Sequence, residues 1–145
     1  MSPRAGLDTH TLVIAAAEIA DEHGIEAVTL AALAAKLGVR SPSLYNHIDG
    51  LPDLRKLLAV HGLEQLYTAM CRASKETCGE AAVHAMGRAY LDFAKRRPGL
   101  YETTLRAPEP GDARIEKAGE QILSLIVNAL SVYELGQEGE IHAVR

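Results

Sequence analysis

Residues 29–48 read TLAALAAKLGVRSPSLYNHI. Thr29 is a good N-cap, and the apolar run from Leu30 to Leu37 stops at Gly38, which together predict a short helix. Ser41 is read as the cap of the next helix. Pro42 then stands at its first position, where a missing N–H costs nothing. That helix is expected to end near Ile48. Ala34 and Gly38 are small where two crossing helices need room. Leu33, Leu37, Val39, Leu44 and Ile48 form an apolar seam between the helices. Two short helices with a tight Gly-containing turn make a helix-turn-helix. Leu44 and Ile48 lie four apart and point inward, so Ser43, Asn46 and His47 face outward.

Working outward, the segments on either side are helical too. Asp8 or Thr9 caps a helix that ends at Gly24, with Leu12, Ala15, Ala16, Ile19 and Ala20 on one stripe. A long helix is expected over about 51–77, and another over about 81–97. Pro98-Gly99 closes the latter, and a short turn follows through Leu105. A last helix is expected over about 113–135, broken by Gly136. No segment alternates in the manner of a strand, so the fold class is all-α. Residues 1–50 are assigned to a helix-turn-helix domain. Residues 51–145 are assigned to a helical ligand-binding and dimerisation domain, expected to be incomplete at its C-terminus.

The chain has 145 residues, 48% hydrophobic and 23% charged, which fits a globular protein and excludes a fibre or a disordered tail. Its net charge of −4 argues against a general nucleic-acid coat. The charge is uneven, however. Residues 1–50 carry three Lys/Arg against six Asp/Glu, whereas residues 51–97 carry eight against five. The segment from Lys36 to His47 contains Lys36 and Arg40 and no acidic residue. Two cysteines, Cys71 and Cys78, exclude a disulfide scaffold and fit a reducing compartment. With neither a signal core nor a stretch of membrane-spanning length, the expected location is cytoplasmic and no membrane partner is expected.

A helix presenting Ser43 and Asn46 carries hydrogen-bonding groups suited to base edges, Asn pairing well with adenine. Tyr45 and His47 suit phosphates, which set register. The N-terminal amides of the helix capped by Thr29 suit a phosphate too. Six histidines without ligand spacing argue against a metal site, and no cofactor is expected. Nucleophile elbow, phosphate loop and paired carboxylates are all missing, so an enzyme is not expected.

Residues 10–60 resemble the DNA-binding domain of the tetracycline-repressor (TetR/AcrR) family of bacterial regulators. The resemblance rests on Ile14–Ala17, Ile19-Ala20, Gly24–Leu30, Leu33-Ala34, Leu37–Val39, Ser43–Ile48 and Leu54. It implies a homodimeric transcription factor, usually a repressor, that binds a palindromic double-stranded operator. Such a protein releases DNA when a small-molecule effector enters its C-terminal domain. The resemblance places Arg40, Ser41, Pro42, Ser43, Tyr45, Asn46 and His47 at DNA, with Thr29 at a phosphate. Leu51 departs from the pattern, which often has Lys there. Arg4 is either a minor-groove arm or a free tail.

Residues 90–101 resemble one subgroup of such C-terminal domains, whose Trp-His-Gly motif this sequence lacks. Tyr67, Met70, Met86, Tyr90, Phe93, Tyr101, Leu105 and Ile122 are candidates for an apolar effector pocket, or else ordinary core. From Ile122 to Tyr133, Ser124, Asn128 and Ser131 form one polar row on an otherwise apolar helix. The row faces solvent or lines a pocket. The family's dimers form through the last two helices, so this chain is expected to dimerise weakly and to expose part of 122–133. The rival function is a helical ligand- or partner-binding protein that no longer binds DNA.

Overall fold

The computed structural model describes residues 7–105 and 112–133. Among these there are seven α-helices and no strand, as the all-α reading expects. They are α1 (Thr9–His23), α2 (Leu30–Leu37), α3 (Ser41–Leu44), α4 (Leu51–Ser74), α5 (Gly79–Arg96), α6 (Pro98–Leu105) and α7 (Ala113–Leu130). Short 3-10 turns cover Ile25–Ala27 and Ser131–Tyr133. No described helix is long and apolar enough to cross a membrane. Arg4 and residues 134–145 lie outside the described residues.

The chain folds as two compact units. Of the described residues, the first holds 7–62 and 97–105 and the second holds 63–96 and 112–133.

In the first unit, the Asp8 carboxylate starts α1 by accepting from the Thr11 N–H at 2.7 Å. Leu12, Ala16 and Ala20 lie on the buried face of that helix. Leu33, Leu44, Leu54 and Leu58 complete the core, each fully buried. Each contributes about 1.5–3 kcal/mol of apolar burial. Gly38 ends α2 in the left-handed region, with φ at 68°. There the Val39 N–H bonds back to the Ala34 carbonyl and the Gly38 N–H to that of Ala35. This is the Schellman arrangement. A Cβ on Gly38 would meet nothing within 4 Å, so the glycine serves backbone conformation rather than close helix crossing.

The turn expected over Leu100–Leu105 is a helix, α6. Pro98 at its first position presets the backbone, and the Leu100 N–H donates to Asp21 of α1. Leu100 is fully buried, and α6 packs against α1.

In the second unit α5 packs against α7. Asp112 caps α7 by accepting from the Arg114 and Ile115 N–H groups. Leu66, Met70, Met86, Phe93 and Leu130 are buried. Ser74, also buried, is satisfied by donating to the Met70 carbonyl at 2.8 Å. The helix of α4 stops at Ser74 rather than Thr77, since the Thr77 N–H and hydroxyl both turn back onto the Ser74 carbonyl. Ser124, Asn128 and Ser131 are all exposed, so the polar row faces solvent.

Candidate nucleic-acid interface

The Thr29 hydroxyl accepts from the Ala32 N–H at 3.0 Å, which satisfies one of the open N–H groups at the start of α2. After Gly38 the chain turns into α3, whose cap is Arg40 rather than Ser41. Ser41 and Pro42 therefore both lie in the first helical turn. The α-helix is shorter than expected and ends at Leu44. The next N–H groups, of Tyr45, Asn46 and His47, bond three residues back, which tightens the turn before Ile48. Asp49 is held by donating its N–H to the Asp53 carboxylate at 3.0 Å. Gly50, with φ at 97°, then starts α4 beside Tyr45.

Leu44 and Ile48 are buried, as their spacing predicts. Above them Tyr45 is 59% exposed, and Asn46, Pro42 and Arg40 are exposed as well. Ser41, Ser43 and His47 are half-buried at the edges, and Thr29 is exposed at the start of α2. The His47 carbonyl accepts from the Thr9 hydroxyl at 3.4 Å, joining the end of this surface to the start of α1. The Asp8 carboxyl is held below the usual carboxylate range, chiefly by the Thr11 N–H, then by the Thr11 hydroxyl, with smaller contributions from His10 and His47.

The two cations of the segment from Lys36 to His47 differ. Lys36 pairs with Glu18 of α1 at 3.1 Å. No ion pair among the described residues engages Arg40. The positive field at the surface therefore centres on Arg40, a division that charge counting along the sequence does not resolve.

The effector-pocket candidates are divided between the two units. Met70, Met86 and Phe93 are buried, and Tyr67, Tyr90 and Ile122 half-buried, in the second unit. Tyr101 and Leu105 belong to the first unit, and Leu105 is 60% exposed. The Tyr67 hydroxyl titrates above its ordinary range because of its hydrogen bond with Cys71. Cys71 is half-buried and Cys78 exposed, both free. No cluster of three His, Cys, Asp or Glu suited to a metal occurs among the described residues.

Sequence reasoning missed Asp21. It bonds Arg97 and Leu100 across 76 and 79 residues. The local signal was Pro98-Gly99 directly after a basic residue, which marks a helix start as well as a helix end.

Residues 12–48 match the model of the bacterial regulatory proteins of the tetR family. Residues 83–145 match the tetracyclin repressor-like C-terminal domain. Over its whole length the chain is 45% identical to YobS of Bacillus subtilis (strain 168), an uncharacterised HTH-type transcriptional regulator, and covers 75% of it. It is 32% identical to the uncharacterised HTH-type regulator Rv0681 of Mycobacterium tuberculosis (strain ATCC 25618 / H37Rv). That match takes in 96% of this chain and 64% of the relative. A solved protein of unknown function from Rhodococcus sp. RHA1 shares the fold with a TM-score of 0.78 at 23% identity, over 92% of this chain and 72% of that one.

Proposed function

The chain belongs to the tetR family of bacterial regulatory proteins and is a DNA-binding transcriptional regulator; on that premise we propose that it is a repressor released from its operator by a small molecule. In this reading a homodimer sets two copies of α3 into successive major grooves of a palindromic operator. Ser43 and Asn46 read base edges, while Tyr45, His47, Arg40 and the α2 start at Thr29 hold phosphates. Ser41 and Pro42 bring the first turn of α3 close to the backbone. The protein acts in the cytoplasm, where operator DNA is found, and has no catalytic step.

The effector enters the C-terminal unit among Tyr67, Met70, Met86, Tyr90, Phe93 and Ile122, an apolar set with two phenolic tips. It favours one placement of α4, which is joined to the reading segment by only Asp49-Gly50. It can act only through unequal affinity for the two placements.

The observation that carries this reading is the exposure of Tyr45 and Asn46 directly over buried Leu44 and Ile48, beside Arg40, which no ion pair among the described residues engages. Selection of bound DNA from a random pool supplies the operator, and titration of two variants tests the roles. Tyr45→Ala is expected to weaken binding to all sequences alike. Asn46→Ala is expected to relax base preference by about 1–3 kcal/mol at one position. Failure of the parent chain to select or shift any DNA at low salt would replace this reading with that of a helical binding protein.

A further inference from the structure

The described part of the first unit, residues 7–62 and 97–105, holds five Lys and Arg: Lys36, Arg40, Arg55, Lys56 and Arg97. Three of them are engaged. Lys36 pairs with Glu18, Arg97 pairs with Asp21, and Lys56 also interacts with a neighbour. Arg40 and Arg55 are both exposed, and no ion pair among the described residues engages either one.

Helical spacing explains why Arg55 is left over. Its helix neighbours at three and four positions are Leu51, Pro52, Leu58 and Ala59, none of them acidic. Asp53 stands two positions back, about 200° round α4 and so on its other side. The Asp53 carboxylate is occupied at the helix start, where it accepts from the Asp49 N–H at 3.0 Å.

Helix α4 sets the place of Arg55 relative to the reading surface. A Cβ built on Gly50 would lie 3.8 Å from Tyr45 Cε1, so the start of α4 lies against Tyr45. Arg55 comes about 6 Å further along the axis than Leu51. Side chains on a helix lean toward its N-terminus, so the long Arg55 stem leads back toward that end. The two cations left over in this unit therefore bracket exposed Tyr45 and Asn46: Arg40 stands before them at the cap of α3, and Arg55 after them on α4. The start of α4 is itself a poor seat for an anion, since Asp49 and the Asp53 carboxylate stand there. A phosphate on that side needs a cation from further along the helix.

We propose that Arg55 is a DNA-contacting residue that holds a backbone phosphate other than the one held by Arg40, so that two arginines grip the duplex on either side of Tyr45 and Asn46. This rests on the DNA-binding reading above. A guanidinium suits the task because its planar fork matches two phosphate oxygens. Such a contact fixes register and carries no sequence information.

The test uses DNA selected by the parent chain from a random pool, prepared with single neutral methylphosphonate linkages at successive positions. Arg55→Ala is expected to weaken binding by roughly tenfold at low salt. It should lower the slope of log affinity against log salt by as much as Arg40→Ala does, and select the same sequence as the parent. One linkage whose neutralisation weakens the parent should no longer matter to Arg55→Ala, and it should differ from the linkage that drops out in Arg40→Ala. Arg55→Lys is expected to retain the slope. Arg88→Ala, which removes an exposed cation of α5 in the second unit, is expected to leave slope and linkage pattern unchanged. Folding should be unaffected in Arg55→Ala, since the position is exposed and Ala is a good helix former.

A parent-like slope in Arg55→Ala, or a linkage pattern identical to that of the parent, would overturn the proposal. An equal loss of slope in Arg88→Ala would overturn it too, leaving only a general field of the chain. Absence of DNA binding by the parent would remove the functional reading itself, and the proposal with it.

Discussion

Lys36 Nζ stands 3.1 Å from Glu18 Oε2, tying α2 to α1, whereas Arg40 four residues on has no such partner among the described residues. A cation already paired releases little counterion on meeting a phosphate, whereas a free one adds about one unit to the salt slope. Arg40→Ala is therefore expected to lower the slope of log affinity against log salt by about one and to weaken binding evenly across sequences. Lys36→Ala is expected to leave the slope nearly unchanged and to cost about 0–1 kcal/mol of stability, as exposed pairs do. Operator titrations at several salt concentrations check both. A larger slope change for Lys36→Ala than for Arg40→Ala would refute the division.

Two glycines with equally open surroundings are expected to respond in opposite directions. Neither Gly38 nor Gly87 would bring a Cβ within 4 Å of anything. Gly38 holds φ at 68°, where an L side chain is strained, so Gly38→Ala is expected to destabilise by about 1 kcal/mol. Gly87 lies inside α5 on an exposed position, so Gly87→Ala is expected to stabilise by about 0.5–1 kcal/mol. Denaturant midpoints of the two variants provide the comparison.

The helix-turn-helix was legible because its signals are local. Thr29 and Gly38 bracket α2, and Leu44 and Ile48 announce their burial by spacing alone. The family resemblance and its regulatory role followed from the same stretch. What was not legible depends on contacts distant in sequence. Pro98-Gly99 was read as the end of one helix, since nothing local tells that Asp21, 79 residues before Leu100, will cap a new one. The cap of α3 shifted from Ser41 to Arg40 because the Ser41 hydroxyl makes no capping bond, a one-residue difference that composition cannot resolve. The pairing of Lys36 with Glu18 likewise needs the packing of α1 on α2 before it can be seen.

The α1 cap gives a pH dependence of known sign. The Asp8 carboxyl titrates below its ordinary value because, first, the Thr11 N–H donates to its charged form. A lowered folded pKa means that the stabilisation is fully present above the unfolded value, about 4. It is lost as pH falls through the lower folded value. Asp8→Asn is therefore expected to flatten the decline in stability below about pH 4 relative to the parent. Its stability near neutral pH should change little, since Asn also caps helices well. Thermal melts from acid to neutral pH check this, and an unchanged acid limb in the variant would refute it.

Adjacent residues on α3 and its exit separate folding from DNA binding. Leu44 is fully buried in the core of the first unit, whereas Tyr45 is 59% exposed. Leu44→Ala removes buried methyl groups and leaves a cavity, which costs about 2–5 kcal/mol. That is a large part of the roughly 5–15 kcal/mol that holds a domain. Tyr45→Ala removes little buried surface and is expected to shift stability by no more than about 0.5 kcal/mol. Its effect on operator affinity should be much larger than its effect on folding if, as proposed, the exposed phenol beside Asn46 contacts DNA. Urea unfolding and operator titration on the same preparations separate the two quantities. If Tyr45→Ala lowered stability as much as Leu44→Ala, Tyr45 would belong to the core and its assignment to the DNA surface would fall.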